Sequence, residues 1–321
     1  MNSNLRIVFM GTPSFAVPSL RLLLENNFNV VAVVTAPDKP AGRGRKTESS
    51  AICAFARSQQ LTVLQPDYLK SDDFIKQLRV LEPDLQVVVA FRMLPEAVWR
   101  LPKLGTVNLH ASLLPVYRGA APINWVIING EKETGLTTFF IDQKIDTGNI
   151  ILQEKMLIGE EETAGQLHDR MMNQGADLLI RTVKSIASGN YRPVNQQDLI
   201  HRNEELKTAP KITREVCRIN WNEKTGNIHN LVRGLSPSPA AWTEGYNPEG
   251  SILMLQIFST KVEIRTHNYA PGTVLTDHKN WLKIAAADGF IHLPELQQAG
   301  KKRMTAAEFL RGSRDIDSYR F

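Results

Sequence analysis

The chain has 321 residues, a formal net charge of +5, 42% hydrophobic and 22% charged residues, a balance that excludes low-complexity, collagen-like and disulfide-framework proteins. No apolar run approaches the ~20 residues of a membrane span, and the start, Met1-Asn-Ser-Asn-Leu-Arg, lacks the regions of a signal peptide, so a cytoplasmic protein without a membrane partner is expected. The two cysteines, Cys53 and Cys217, form no C-x-x-C pair and read as free thiols.

The charge is unevenly spread. Residues 1–206 hold 22 Lys+Arg and 22 Asp+Glu, whereas residues 207–321 hold 16 and 11, so the whole excess lies in the last third. A second concentration, Ala36-Pro-Asp-Lys-Pro-Ala-Gly-Arg-Gly-Arg-Lys46, puts four cations, one acid, two Gly and two Pro into eleven residues and reads as a loop.

From the N-terminus, short apolar runs alternate with longer amphipathic ones, the pattern of parallel strands joined by crossover helices. Strands are predicted at Leu5–Met10, Val30–Thr35, Leu61–Leu64, Leu85–Ala90 and Thr106–His110, with helices near Ser14–Asn26, Ser49–Gln59, Asp72–Arg79 and Pro95–Arg100. Thr12 is placed as the first helix's N-cap, with Pro13 at the first helical position. Leu136–Ile141 and Asn149–Leu157 read as a hairpin. Thr163-Ala-Gly-Gln166 is a capping box opening a helix that buries Leu167, Met171, Leu178, Val183 and Ile186 and stops at Gly189; that stripe is core, not a cofactor site. Beyond a polar stretch, runs at Ser251–Phe258, Lys261–Arg265, Gly272–Leu275, Trp281–Ala286 and Gly289–Leu293 have the spacing of a small barrel. The fold class is α/β, a doubly wound, mostly parallel Rossmann-like sheet over 1–189, then a linker at 190–206 and a smaller OB-like β-barrel at 207–321.

Several motifs exclude chemistry. Gly11-Thr-Pro-Ser-Phe-Ala16 has Pro13 and Ala16 where a dinucleotide fingerprint needs its second and third glycines. The basic loop is no Walker A, because Arg45 precedes Lys46-Thr47 and Pro40 stands at the first glycine. The seven histidines show no metal-ligand spacing, so no metal is expected.

Thr106-Val-Asn-Leu-His110 carries the chemistry. Side chains two apart share a strand face, so Asn108 and His110 project together at a strand end, where open α/β sheets place ligands. An amide beside an imidazole suits acyl transfer: one hydrogen-bonds a carbonyl oxygen that becomes an oxyanion, the other supplies a proton or charge. Taken alone, the pair reads better as a surface Asn and a satisfied His in a strand-end loop. Asp146, in Ile145-Asp-Thr-Gly148, is either an Asx turn or a carboxylate facing His110 that tunes its protonation. An aspartic protease is excluded by the single D-T-G.

Asn108-Leu-His110-Ala-Ser112-Leu-Leu-Pro115, Arg118-Gly-Ala-Ala-Pro122, Trp125, Thr134-Gly-Leu-Thr137 and Asp146-Thr-Gly148 together resemble, in order and spacing, the signature of the formyltetrahydrofolate-dependent formyltransferases. The Thr35–Lys46 loop, Leu235-Ser-Pro-Ser-Pro-Ala-Ala-Trp242 and Gly300-Lys-Lys-Arg-Met304 are similar to features of the members that act on methionyl-tRNA. The resemblance spans essentially the whole chain. It implies formyl transfer from 10-formyltetrahydrofolate, as co-substrate, to the α-amine of initiator methionyl-tRNA, by a monomer. It gives catalytic roles to Asn108, His110 and Asp146, and a folate surface to Ser112, Leu113, Leu114 and Pro115. The notable departure is Phe91-Arg-Met-Leu-Pro95, one residue shorter than the folate-lining segment of many members and without its glycine.

For the tRNA, Lys39, Arg43, Arg45 and Lys46 of the loop and Lys301, Lys302 and Arg303 of the barrel are the candidates, through phosphate contacts. Two alternatives stay open. One is another formyltetrahydrofolate enzyme, acting on glycinamide ribonucleotide or releasing formate, which would share the three catalytic residues without needing the basic loop. The other is a silent RNA-binding protein on the same scaffold, which would not need the triad.

Overall fold

The computed structural model describes residues 5–41, 46–200, 206–313 and 315–321, with the backbone alone at 39–41 and 46–48. In chain order the first elements are β1 (Arg6–Gly11), a 3-10 turn (Ser14–Ala16), α1 (Val17–Glu25), β2 (Asn29–Val34), β3 (Lys39–Ala41), β4 (Lys46–Glu48) and α2 (Ala51–Ser58). Then come β5 (Val63–Leu64), α3 (Asp72–Val80), β6 (Leu85–Val89), α4 (Glu96–Trp99), β7 (Thr106–His110), β8 (Arg118–Gly119), α5 (Pro122–Ile128), β9 (Glu133–Phe140), β10 (Ile150–Leu157) and α6 (Ala164–Ala187). The remainder supplies β11 (Thr208–Ala209), α7 (Thr225–Leu235), β12 (Ala241–Tyr246), β13 (Ile252–Ile264), β14 (Val274–Thr276), β15 (Leu282–Ala285), β16 (Gly289–Gln298), β17 (Met304–Thr305) and α8 (Ala306–Leu310).

These form two units. The first is Met1–Gly119, Thr134–Leu157 and His168–Thr208; the second is Ala120–Glu133, Ile158–Leu167 and Ala209–Phe321.

The first unit is built on a seven-stranded sheet in the order β10-β9-β7-β6-β1-β2-β5. The pairs β1–β2, β2–β5, β1–β6 and β6–β7 are parallel, and β7–β9 is antiparallel. The central strands read as apolar runs because helices cover both faces: Ile7, Val8, Phe9, Met10, Leu85, Val87, Val89 and Val107 are all solvent-inaccessible. Helices α2 and α3 start where the chain offers a side-chain acceptor to an orphan N–H. Ser50 Oγ accepts from Cys53 N at 3.1 Å and Ser71 Oγ from Phe74 N at 3.4 Å, and Asp72 and Asp73 add negative charge in the first turn of α3.

The Thr12–Pro13 cap is corrected. Pro13 is extended (φ −77°, ψ 172°) and precedes the 3-10 turn, while α1 opens later, with a proline in its first turn and no side-chain cap. The capping box before α6 forms as expected: Gln166 N donates to Thr163 Oγ1 at 3.3 Å and Thr163 N to Gln166 Oε1 at 2.9 Å. The stripe Leu167, Met171, Leu178, Val183 and Ile186 is buried.

The second unit centres on an antiparallel sheet in the order β12-β13-β16-β15-β14, with β17 also paired to β16. Its two edges are bridged by one residue: Arg320 pairs with Tyr246 at the end of β12 and with Thr273 just before β14, closing the strands as a barrel expects. Helix α7 and α8 fill the interior, where Ile228, Val232, Phe309 and Leu310 pack with Leu255, Ile257, Ile284 and Ile291. The two runs 251–258 and 261–265 are one strand, β13, bent where its register with β16 shifts around Ser259. Both cysteines are free and buried.

Candidate active site

Strand β7 places the first two residues. Asn108 and His110 share one face; Leu109, between them, turns to the other, where α6 crosses the sheet and Gly175 makes room. A Cβ on Gly175 would lie 2.9 Å from Leu109 Cδ2. His110 is 7% exposed. Its Nε2 lies 2.9 Å from the Tyr117 carbonyl oxygen, which can only accept, so Nε2 carries the proton and Nδ1 is the ring's acceptor. Nδ1 faces Asp146 Oδ2 at 3.9 Å, beyond hydrogen-bond range but within that of one bridging water.

Asp146 Oδ2 also accepts the Gly119 N–H at 2.9 Å. Both residues that meet His110 hold backbone that non-glycine residues rarely adopt, Tyr117 with φ 58° and Asp146 with φ 55°. Such outliers cost of order 1 kcal/mol or more each and concentrate at functional sites. Gly148 is needed because the chain returns against β9: a Cβ there would sit 1.7 Å from the Phe140 carbonyl oxygen.

Asn108 differs from its neighbours in having no partner for its buried Oδ1. A buried unpaired carbonyl costs about 1–3 kcal/mol, and since that oxygen makes no hydrogen bond, turning the carboxamide toward a ligand breaks none there.

The loop after β7 is held by Thr137, whose hydroxyl donates to the Ser112 carbonyl at 2.6 Å and accepts from Leu114 N at 3.1 Å and Gln153 Nε2 at 3.0 Å. Gly135 lets the loop lie close, since a Cβ would be 2.4 Å from Leu113 Cδ2. Of the four residues assigned to a folate surface, Ser112 is fully buried with its hydroxyl donated to the Val116 carbonyl at 2.8 Å, and Leu114 is 2% exposed. Both build the loop, whereas Leu113 and Pro115 are half-buried.

In the shortened segment, Phe91 packs into the core around Val88 and Leu94. Arg92 donates to the Pro66 and Asp67 carbonyls at 2.9 and 3.1 Å, and Met93 is 77% exposed.

Two residues absent from the sequence-based site join it. Arg118 donates through Nε and Nη2 to Gln196 Oε1 at 3.1 and 2.6 Å, and burial lowers its guanidinium pKa, opposed by Asp146 and Asp142. Gln196 has no local sequence signal and sits in a polar stretch read as a connection.

Of the basic candidates, Arg43 and Arg45 lie outside the described residues, and Lys39 and Lys46 fall in the paired strands β3 and β4. The loop's one acid is anchored: Asp38 accepts from Gln65 Nε2 at 2.7 Å and Ser49 Oγ at 3.0 Å. Lys301, Lys302 and Arg303 are exposed, but Arg303 is engaged, paired with Glu295 and lying 4.3 Å over the Phe258 ring. Among the described residues no group of three or more His, Cys, Asp or Glu is placed to hold a metal, and no helix is long and apolar enough to cross a membrane.

An imidazole between a carboxylate and a carbonyl, beside an unsatisfied amide at the C-terminal end of a sheet strand, is an arrangement for acyl-group chemistry. Residues 5–183 match the formyl transferase family and residues 211–314 the formyl transferase C-terminal domain; the chain belongs to this family. It is 50% identical over 309 residues to a methionyl-tRNA formyltransferase of Bacteroides fragilis, covering 96% of this chain and 95% of that one. It is 52% identical over 316 residues to the methionyl-tRNA formyltransferase of Phocaeicola vulgatus, with 98% of each chain covered. An N-formyltransferase from Helicobacter canadensis, solved with folinic acid and dTDP-3-aminofucose, shares the fold at TM-score 0.64 and 22% identity over 91% of this chain and 98% of that one. So does HypX from Aquifex aeolicus, solved with tetrahydrofolic acid, at TM-score 0.63 and 18% identity over 96% of this chain and 47% of that one.

Proposed function

We propose that Asn108, His110 and Asp146 transfer a formyl group from 10-formyltetrahydrofolate to the α-amine of initiator methionyl-tRNA. The observation that carries the reading is the juxtaposition of His110 Nδ1 with Asp146 Oδ2 at 3.9 Å, beside the unpartnered Asn108 oxygen. Identity near 50% along almost the whole chain to methionyl-tRNA formyltransferases supports this acceptor over a free nucleotide.

The residues fit a formyl donor. Asn108 is a half-buried carboxamide whose Oδ1 is buried without a partner, and Leu113 and Pro115 offer half-buried apolar surface in the loop that follows β7. When bound, the folate co-substrate supplies an electrophilic formyl carbon. Asn108 then donates its amide N–H to the formyl oxygen, an interaction that strengthens as that oxygen becomes negative. His110, its ring fixed by the Nε2–H bond to Tyr117, takes at Nδ1 the proton that the attacking amine must lose. Asp146 stabilises the resulting imidazolium through a water spanning the gap, and His110 returns the proton to the folate nitrogen as that nitrogen's bond to the formyl carbon breaks, so that the deformylated folate leaves neutral.

The tRNA is held by the loop at 36–46, with Lys39, Arg43, Arg45 and Lys46, and by the basic C-terminal third, residues 207–321, through Lys301 and Lys302. Arg303, committed to Glu295 and Phe258, has mainly a packing role. The reaction is cytoplasmic, and a monomer suffices because one chain contains all three residues. The test is to incubate the protein with 10-formyltetrahydrofolate and either initiator or elongator methionyl-tRNA and analyse the released amino acid. Formylmethionine from the initiator species supports the reading; formylation of glycinamide ribonucleotide instead, or release of formate alone, overturns it.

A further inference from the structure

We infer that Gln196 is a positioning residue for this reaction, a buried carboxamide that clamps the Asp146 turn in place opposite His110; the inference rests on the assignment of Asp146 to the reacting centre. Gln196 is fully buried, and both ends of its amide are used. Nε2 donates to the carbonyl oxygens of Asp146 at 2.9 Å and Gly148 at 2.8 Å. Oε1 accepts from Arg118 Nε and Nη2. The residue is itself well held: Asn195 Oδ1 caps the 3-10 turn at Gln196–Leu199 by accepting from Gln197 N, and Val194 pairs with Ile150 through two 2.8 Å backbone bonds.

The turn needs such a clamp. Asp146 has φ 55°, and a strained turn persists only where its surroundings over-determine it. Among the described residues one further hydrogen bond directs the carboxylate, that from Gly119 N, and Gly119 directly follows Arg118, the other residue that Gln196 holds. One side chain therefore fixes both the backbone that carries Asp146 and the backbone that aims its carboxylate. Few other side chains can do this, because the position requires donors at one end and an acceptor at the other. A carboxylate would keep Arg118 but face two carbonyl oxygens with no proton to give.

The test uses full-length Gln196→Met, nearly isosteric without the hydrogen bonds, and Gln196→Glu, which keeps only the Arg118 half. Each is compared with the parent and with Asp146→Asn for kcat, KM for both substrates and near-ultraviolet circular dichroism. A misplaced reacting group costs on the order of 10- to 100-fold. Both variants are expected to lose kcat in that range, with folded spectra and with KM values within about threefold of the parent. In the Asp146→Asn background, Gln196→Met is expected to change the single-turnover rate by less than about twofold. Parental kcat in either Gln196 variant overturns the proposal, as does an undiminished loss in the Asp146→Asn background or a loss confined to KM. A parental rate in Asp146→Asn alone strikes instead at the role of Asp146, so the two failures are told apart.

Discussion

Asp146 Oδ2 sits between two nitrogens, accepting the Gly119 N–H at 2.9 Å and facing His110 Nδ1 at 3.9 Å. The first contact sets the direction of the carboxylate, and the proposed mechanism works through the second. Asp146→Asn preserves shape and an acceptor for Gly119 while removing the charge, so kcat should fall by about 10²- to 10⁴-fold with KM little altered. His110→Ala should fall in the same range, and steady-state formylation kinetics check both.

Asn108 should trade stability against activity. Asn108→Leu removes a buried oxygen without a partner, so unfolding in urea should require about 1 kcal/mol more than in the parent. Turnover should fall by about 10²- to 10³-fold as the formyl oxygen loses its donor. A variant both less stable and fully active contradicts the role given to Asn108.

Gly148→Ala forces the Cβ into the Phe140 carbonyl, at 1.7 Å before relaxation, so the turn must shift. A loss of at least about tenfold in kcat is expected, with a lower thermal midpoint. Gly226→Ala, in α7 with nothing within 4 Å of the new atom, serves as the control and should leave the rate unchanged.

In the second unit, Glu263 accepts from Lys283 Nζ at 2.8 Å and His292 Nε2 at 2.7 Å. The Lys283 bond foremost, then that of His292, holds its carboxyl below the ordinary 4.5. A carboxyl lowered in the folded state binds fewer protons there than when unfolded, so its contribution is complete above about 4.5 and is lost as the pH falls through the lower folded value. Glu263→Gln should therefore cost about 0.5–1 kcal/mol at neutral pH and less at pH 3, read from urea unfolding at both values.

The basic residues should act through phosphates. Affinity for tRNA should fall steeply with salt, and Lys301→Glu with Lys302→Glu should flatten the log–log slope by about one unit per lost phosphate contact. Arg303→Ala should also lower thermal stability, because it removes the contacts to Glu295 and Phe258. Salt-independent affinity contradicts the phosphate reading.

Much of the catalytic sheet is legible in the sequence because buried parallel strands announce themselves as apolar runs: β7 falls at 106–110 as read, and the α6 stripe needs only period and cap. The Thr12–Pro13 misreading has a local cause, since a proline after a hydroxyl residue resembles a helix start, and only the tertiary path shows Pro13 extended. In the barrel, β12 and α7 are not visible as patterns. Ala241-Trp-Thr-Glu-Gly-Tyr246 carries a glycine that weakens a strand signal, and α7 holds Gly226 and Gly234, poor helix formers. Gly234 is explained by packing, since a Cβ would lie 2.6 Å from Ile128 Cγ1 of α5. At the site, Asn108, His110 and Asp146 follow from strand spacing and motif order. Gln196 does not, because its partners are backbone carbonyls 48 and 50 residues away and a polar stretch looks the same whether it is solvated or buried.

The central claim is most directly tested by the single-turnover rate of formyl transfer with initiator methionyl-tRNA and 10-formyltetrahydrofolate both saturating, measured for the parent and for Asn108→Ala, His110→Ala and Asp146→Ala. The account predicts that each variant binds both substrates and slows the transfer itself by at least about 100-fold. Transfer at the parental rate by any one of them would contradict that residue's place in the reaction.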